Sequence, residues 1–367
     1  MGNFYKKRVK ACAVFRGIAI SATCAILCGV CERTPNSNYT FRVDPYYITG
    51  SRENRENLRD LFMLLGNENN SAENNFALTR EIANNLTRVK EYGKLIHFLN
   101  ERIINYPYDQ YNSYYMLMIA YAYIQQGSPA VAAQYFNIIV KNYPDLTINN
   151  ESIHLACLNQ LIDLTDNAEQ LVWYYRELIS RFPDKIDPGA AWFMLGQANE
   201  RIGDWSGAIQ AYTHYLPYAG TVIPGFPNAD NYARQQVDFN NSTKDWTFES
   251  LPALLSSIQA GLDTGNLRQL RRCQAKVNFF HRSWGQGETD DSGVQDFNLS
   301  DFIRGNRIRY ADKLDDSSNA TEAFLRTWGW DQYVTIWYLY FRKIYFPSDP
   351  EIHGRWEWAG IYYGEKF

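Results

Sequence analysis

The chain has 367 residues, a length that corresponds to roughly two or three domains of about 150 residues each. Hydrophobic residues make up 46% of it and charged residues 21%, which are ordinary values for a folded protein and exclude wholesale disorder or a collagen-like chain. The first 31 residues hold five cations and no acid, so the remainder has 31 cations against 40 acids and lacks the basic character of a general nucleic-acid binder.

The N-terminus has the pattern of an export signal. Residues 1–16 are basic and lead into an apolar run over residues 17–30, which is too short to span a bilayer easily but typical of a secretory signal. The small residues before a cysteine at its end resemble a bacterial lipoprotein signal of the relaxed kind found in spirochaetes. This resemblance implies lipidation at Cys31, which lies two residues after Gly29, with Cys28 as the alternative. An uncleaved anchor and an ordinary cleaved signal remain open.

These features predict a location as well as a signal. We interpret residues 1–31 as the signal peptide and expect the mature chain in the bacterial cell envelope, held to a membrane by a lipid, on either its periplasmic or its surface face. Only Cys157 and Cys273 lie beyond the signal, and two cysteines so far apart are too few for a disulfide framework. We therefore predict that both are buried single cysteines.

Aromatic–proline pairs recur at regular intervals in the middle of the chain. Tyr106-Pro107, Tyr143-Pro144 and Phe182-Pro183 are separated by 37 and 39 residues, and Gly127 and Gly203 lie 76 residues apart, which is two periods of 38. Apolar residues recur at helical spacing on both sides of each of these glycines. The spacing predicts a repeated pair of helices joined by a glycine turn.

The residues inside each period resemble the tetratricopeptide repeat family. One copy reads Trp192-x-x-Leu195-Gly196, Gly203, Ala208-x-x-x-Tyr212, and an earlier one reads Met116-x-x-Ile119-Ala120, Gly127, Ala132-x-x-x-Phe136, Pro144. The pattern is good over 113–144 and 189–217 and degenerate over 76–107 and 152–183. The resemblance implies about four helix pairs over residues 76–218, stacked into a curved solenoid whose first helices line a concave groove for a protein or peptide partner.

Helical offset within each repeat predicts which side chains line this groove. Together they form a mixed aromatic and polar surface that suits a peptide or protein segment: Arg80, Asn84, Tyr114, Leu117, Tyr121, Ile124, Gln160, Phe193, Gln197, Glu200 and Arg201. For any single aromatic residue among them, packing into the next repeat is the alternative.

Two segments flank the repeats. Residues 32–75 are interpreted as a tether followed by a capping helix at 53–65, with an asparagine-rich stretch at 67–75. Residues 219–245 are rich in Gly, Pro and Asn and are interpreted as a linker.

Residues 246–367 contain seven of the ten tryptophans and predict a small α+β domain. Ser250 and Pro252 are typical of a helix start, and apolar residues then indicate a hairpin of two helices extending to Val277. Alternation with period two over 334–341 and 355–363 predicts strands, and residues 307–310 are a further candidate strand. The expected architecture is a pair of helices packed on an antiparallel sheet.

Tryptophan pairs in this domain allow two interpretations. Both indoles of Trp328-x-Trp330 and of Trp356-x-Trp358 project from one face of an extended chain, so they could form a platform for a glycan or an apolar ligand. Packing in the core is the favoured alternative, because indole rings bury a large area that a small domain needs.

No motif for metal binding, phosphate binding or nucleophilic catalysis occurs, and the five histidines are scattered. We therefore predict a non-enzymatic interaction scaffold for envelope assembly or transport, with no cofactor and no metal. Two alternatives stay open. One is a ligand-binding or transporter-accessory subunit, and the other is a cell-wall enzyme that uses dispersed carboxylates in the C-terminal domain.

Overall fold

The structure is a computed structural model that describes residues 43–284 and 298–366. Its first part, residues 52–241, is an array of ten helices in which each helix packs against the next along the chain. Their bounds are Arg52–Leu65 (α1), Ala72–Arg88 (α2), Tyr92–Asn105 (α3), Asn112–Gln125 (α4), Pro129–Asn142 (α5), Ile153–Leu164 (α6), Ala168–Arg181 (α7), Pro188–Arg201 (α8), Trp205–Tyr215 (α9) and Ala229–Asn241 (α10). The predicted helical-hairpin solenoid is confirmed.

Polar residues and prolines explain where several of these helices begin. The side chains of Ser71, Ser152 and Asn167 each accept a hydrogen bond from the backbone N–H three residues later, at the starts of α2, α6 and α7. Such a cap stabilises a helix by about 1 kcal/mol. Pro129 and Pro188 lie in the first turns of α5 and α8, where the missing N–H has no partner to lose.

Glycines permit the tight hairpins that the repeat pattern predicts. Gly127 joins α4 to α5 with φ +75° and Gly203 joins α8 to α9 with φ +77°, in the left-handed region that favours glycine. At Gly196 a Cβ would overlap the ring of Tyr212, so the small residue allows α8 and α9 to approach closely. The short Gly turn and the small contact residue both act as the sequence predicts.

A small insertion lengthens one of the repeats. Two short strands, Thr147–Ile148 (β1) and Glu151–Ser152 (β2), form an antiparallel hairpin between α5 and α6. Its turn is made by Asn149 and Asn150, both with positive φ. Longer connections of this kind explain a period above the 34 residues typical of the family.

The prediction that residues 219–245 form a linker is wrong in part, because this segment contains α10. Ala229, Ala233 and Val237 recur every four residues and are all at most 5% exposed, so they form an apolar stripe. This stripe packs into one cluster with Phe193 and Tyr212. The Gly and Pro residues that suggested a linker all lie before the helix, within residues 220–227, whereas three of the four asparagines of the segment lie in the helix.

Within residues 246–284 and 298–366, the C-terminal part combines three helices with a five-stranded sheet. The helices are Leu251–Asp263 (α11), Leu267–Cys273 (α12) and Leu299–Ile303 (α13). The strands are Phe280–Ser283 (β3), Arg309–Tyr310 (β4), Glu322–Trp328 (β5), Ile336–Lys343 (β6) and Trp356–Tyr363 (β7). The α+β architecture is confirmed, although α12 ends before Val277.

The sheet differs from the prediction in one respect. Its order is β3-β7-β6-β5-β4, and all neighbouring pairs are antiparallel except β3 and β7, which are parallel. The prediction of a fully antiparallel sheet is wrong because β3, which supplies the parallel pair, was not predicted. β5 was also not predicted, but it pairs antiparallel with both of its neighbours. The four residues of β3 are too few to show a clear period, so local pattern could not reveal a strand there.

One face of this sheet packs on the helices. Alternate residues of β5, β6 and β7 point to this face and join the apolar stripes of α11, α12 and α13 in one core. Cys273 lies in this core and Cys157 lies in the core of the helical array, and both are free thiols. The prediction of two buried single cysteines is confirmed.

A separate core joins the last helix of the array to the C-terminal domain. The ring of Phe239 in α10 stacks on Phe346 at 5.5 Å between centroids and lies 6.2 Å from Trp246. All three side chains are at most 3% exposed, and Ile209 of α9 packs against the same cluster. We call this cluster the junction core, because it places α10 against the sheet.

The half-buried histidine of β3 leads us to predict a pH dependence of stability. His281 lies 5.4 Å from Trp337 and 4.7 Å from Tyr363 between ring centroids, and burial lowers its pKa from 6.5 to about 4. The unfolded chain therefore takes up a proton at this site before the folded chain does. We expect stability to fall as pH decreases from about 6.5 towards 4, and this slope to be smaller in His281→Gln.

Urea unfolding at several pH values, followed by tryptophan fluorescence, measures this slope. His214→Gln is the matched control, because His214 is exposed on α9. Equal slopes for His281→Gln and the unaltered protein would contradict the assignment.

Candidate functional site

The first helices of the hairpins form one side of the array. α4 contacts α2 and α6 in addition to its partners along the chain, as expected when the first helices of successive repeats form the inner layer of a solenoid. Six of the predicted groove residues lie on α2, α4 and α6 and are half-buried: Arg80, Asn84, Tyr114, Tyr121, Ile124 and Gln160. We call the surface that they form the inner face.

Two tyrosines of α4 provide the aromatic part of the inner face. Tyr114 meets Phe76 edge to face at 5.2 Å, and Tyr121 meets Phe136 in the same way at 5.7 Å. Burial raises the pKa of Tyr114 and raises that of Tyr121 to about 12, so both hydroxyls stay protonated at neutral pH. Each residue can therefore offer a hydrogen-bond donor beside apolar surface.

A cation lies next to these rings. The guanidinium carbon of Arg80 is 5.4 Å from the centroid of Phe76 and its charge also acts on Tyr114. Such an arrangement can bind the carbonyl or carboxylate oxygens of an extended chain while the rings contact its apolar side chains. The inner face therefore offers hydroxyl donors and one cation beside aromatic rings.

Leu117 does not belong to this surface. Its side chain is 8% exposed and joins the core between α4, α5 and α6. The predicted role in the groove is wrong for this residue, because α6 packs closely enough on α4 to cover it.

The fourth repeat is closed rather than open. Phe193 is fully buried, and its ring contacts Phe226 at 5.1 Å and Tyr232 at 6.5 Å. Both contacts come from residues 219–241, the segment that holds α10. The prediction that Phe193 lines a groove is wrong because it treated this segment as a linker.

The polar groove residues predicted in the same repeat bind within the chain. Gln197 donates to the Tyr212 hydroxyl at 2.7 Å, and Glu200 accepts from the Tyr232 hydroxyl at 2.8 Å. Burial raises the pKa of Glu200. Arg201 is exposed and donates to the backbone carbonyl of Asp166. Among these contacts, the hydrogen bond from Tyr232 to Glu200 joins α8 to α10.

The tryptophan pairs belong mainly to the core. Trp330 and Trp358 are fully buried, Trp356 is 7% exposed, and Trp328 is half-buried. The indole N–H of Trp358 donates to the carbonyl of Gly360 at 3.0 Å, and that of Trp330 donates to Thr327 Oγ1 at 2.7 Å. A ligand platform built on both pairs is therefore wrong, and the favoured core interpretation holds for three of the four rings.

The predicted lipidation sites, Cys31 and the alternative Cys28, lie outside the described residues. Among the helices of residues 43–284 and 298–366, none has the length and apolar content of a membrane span. In the same ranges, no three His, Cys, Asp or Glu side chains come together in a way that could hold a metal ion.

Sequence reasoning missed one polar site altogether. Tyr232, Arg342 and Glu357 come from distant parts of the chain and meet where α10 packs against the sheet. The sequence indicates that Glu357 could be buried, because it lies between two tryptophans of a predicted strand. Its partners are distant in sequence and could not be predicted.

Comparison with known proteins supports the repeat architecture. Residues 114–146 match the tetratricopeptide repeat family, a segment that covers most of α4 and all of α5 and includes Tyr114 and Tyr121 of the inner face. A search of curated proteins found no match to the chain. The chain thus contains a tetratricopeptide repeat, a module that typically binds proteins or peptides and has no catalytic activity of its own, within a longer array of helical hairpins.

Proposed function

We propose that this protein is an interaction scaffold that holds an extended segment of a partner protein on the inner face of α2, α4 and α6. The observation that carries the proposal is the pair of half-buried tyrosines, Tyr114 and Tyr121, inside the matched repeat. Their rings are held in place by core phenylalanines, so little side-chain entropy is lost when a partner binds.

The proposed surface is shorter than the groove expected from the sequence. Phe193, Gln197 and Glu200 are occupied by contacts with α9 and α10, which leaves the first three inner helices for a partner. Arg80 at one end adds a cation to the aromatic centre. We expect the partner segment to carry apolar or aromatic side chains next to an acidic or carbonyl-rich stretch.

A photo-crosslinking experiment tests this proposal. With p-benzoylphenylalanine in place of Tyr121, we expect a discrete crosslinked product in envelope extracts. Adding Arg80→Ala is expected to weaken that product about tenfold, because the cation beside the aromatic rings is lost. The control is the same amino acid in place of Tyr333, which is 92% exposed in the C-terminal domain. Equal products at both positions, or one insensitive to Arg80→Ala, would overturn the proposal.

We also propose where this protein is located. The basic N-terminus and the apolar run before Cys31 support an exported lipoprotein that acts in envelope assembly or transport, with Cys28 as the alternative site of lipidation. Mass spectrometry of the mature N-terminus tests this directly. A diacylated cysteine supports it, and a mature chain that begins at an unmodified residue contradicts it.

A further inference from the structure

A cleft lies at the start of the helical array. It is formed by a short 3-10 helix, Pro45–Tyr47, by the end of α1, and by the end of α3 with the turn after it. Its volume is about 220 Å³. Since a cavity of about 150 Å³ can hold a benzene ring, the cleft can accommodate one aromatic side chain.

The floor of the cleft is aromatic. Phe62 of α1 meets Phe98 of α3 edge to face at 5.3 Å and stacks on Tyr47 at 5.4 Å between ring centroids. All three side chains are at most 7% exposed, so each ring holds the others in place. Aromatic rings favour further rings in stacked or edge-to-face contact. The floor therefore suits an aromatic group.

The polar residues of the cleft supply hydrogen-bond acceptors. Glu101 Oε2 accepts from the Tyr47 hydroxyl at 2.6 Å, and Asp44 Oδ1 accepts from the backbone N–H of Tyr46 at 2.8 Å. Among the described residues, no donor bonds to the second oxygen of either carboxylate. An ionised carboxylate can only accept, so the group that fills the cleft should carry a donor.

The charges around the cleft favour an uncharged group. Asp44 and Glu101 disfavour an anion, and Arg102 lies in the same lining and disfavours a cation. Arg102 itself has partners, because its Nη2 is 3.6 Å from Asp109 Oδ2 and its guanidinium carbon is 4.7 Å from the centroid of Tyr106. An uncharged aromatic ring with one donor is a phenol, the side chain of tyrosine.

The surface around the cleft presents such a side chain. Tyr108 lies in the turn after α3, which is closed by a hydrogen bond from the Asp109 N–H to the Tyr106 carbonyl. Its side chain is 98% exposed, so it does not fill the cleft of its own chain. Six of the thirteen most exposed large apolar side chains of the described residues belong to the segments that form the cleft: Tyr46, Met63, Leu64, Ile104, Tyr106 and Tyr108. Exposed apolar side chains concentrated in this way mark an interaction surface.

From these observations we infer that this surface binds a second copy of the chain. In the resulting two-fold symmetric dimer, Tyr108 of each copy inserts into the cleft of the other. Its ring packs on Phe62 and Phe98, and its hydroxyl donates to Asp44 or Glu101. A protruding side chain and the cleft that fits it lie on one surface, as a two-fold interface requires. The dimer leaves the inner face free, since the cleft shares none of that surface's residues.

Photo-crosslinking between two forms of the full chain tests this inference. A tagged copy carries p-benzoylphenylalanine in place of Tyr108, and an untagged copy is unaltered. After mixing in detergent and irradiation, we expect a product that joins one tagged to one untagged chain. Mass spectrometry should place the crosslink within residues 62–65 or 98–105 of the untagged chain. Crosslinks within one chain only, or to other parts of the untagged chain, would overturn the inference.

Variants of Tyr108 measure how much the inserted side chain contributes. In sedimentation velocity, we expect Tyr108→Glu to raise the dimer dissociation constant at least about a hundredfold, because it places a charge against Asp44 and Glu101. Tyr108→Phe keeps the ring but removes the donor, and should raise the constant about tenfold. Tyr333→Glu is the matched control, since Tyr333 is 92% exposed in the C-terminal domain. A monomer at every concentration, or equal association of Tyr108→Glu and the unaltered chain, would contradict the dimer.

Discussion

Replacing Phe239 with alanine is expected to lower the free energy of unfolding by about 3–5 kcal/mol, the usual cost of removing a buried phenylalanine ring. Phe239 is 3% exposed and packs on Phe346 and Trp246 across the junction core. Its loss leaves a cavity where α10 meets the C-terminal domain. Because this cluster joins the two parts of the chain, we also expect them to unfold separately in the variant.

Two optical signals can distinguish joint from separate unfolding. Seven of the ten tryptophans lie beyond residue 245, so their fluorescence reports mainly on the C-terminal domain. Circular dichroism at a helix-sensitive wavelength reports mainly on the ten helices of the array. In urea, the two transitions should coincide for the unaltered protein and separate for Phe239→Ala.

Asn240→Ala is the matched control for this prediction. Asn240 is the next residue of α10 and is exposed, so its replacement should change stability by no more than about 0.5 kcal/mol. Coincident transitions in Phe239→Ala, together with a loss below about 1 kcal/mol, would show that the junction core does not join the domains.

The second large effect is expected at Phe136, inside the matched repeat. Its side chain is fully buried between α4, α5 and α6, and its ring supports Tyr121 of the inner face. We expect Phe136→Ala to cost about 3–5 kcal/mol. Since the ring that holds Tyr121 is lost, the crosslink at position 121 should also become weaker.

Two further substitutions separate the effect of lost side-chain volume at position 136 from the effect of any alanine substitution on α5. Phe136→Leu keeps most of the apolar volume and should cost less than Phe136→Ala by at least about 1.5 kcal/mol. Ile138→Ala lies on the same helix, where Ile138 is 38% exposed, and should have a small effect. Similar losses for Phe136→Ala and Ile138→Ala in urea unfolding would contradict the packing described for this repeat.

The inner face lies apart from the place where the C-terminal domain packs on the array. It uses α2, α4 and α6, whereas the junction core packs α10 against the C-terminal domain. Tyr232 links α10 to the fourth repeat, because it lines the cleft between α10 and the sheet and its hydroxyl donates to Glu200 of α8. The fourth repeat therefore acts as the support on which the C-terminal domain is placed.

Much of the array could be predicted from single residues. Gly127 and Gly203 indicated the hairpin turns, and Gly196 with Tyr212 indicated where two helices approach closely. The stripe of α10, from Ala229 to Val237, was also present in the sequence but was outweighed by the Gly and Pro residues before it and the asparagines at its end. A search for period-3.6 stripes without regard to flanking composition would have found it.

The C-terminal sheet was predictable only in part. β6 and β7 are long and rich in β-branched and aromatic residues, so their alternation was clear. β3 has four residues and pairs in parallel with β7, a partner about eighty residues away in sequence, so no local pattern could identify its orientation. Likewise, only the assembled sheet shows that Trp356 and Trp358 face the helices.

The amino-acid sequence by itself determined the helical hairpins and the α+β character of the last part, because helix and strand periods, caps and glycine turns act between residues close together in the chain. Only the tertiary structure decided that α10 covers Phe193, that Leu117 is buried, and that Arg342 and Glu357 meet at a cavity beside α10. Such contacts join residues far apart in sequence, and whether a side chain is exposed or covered depends on which distant segment packs over it.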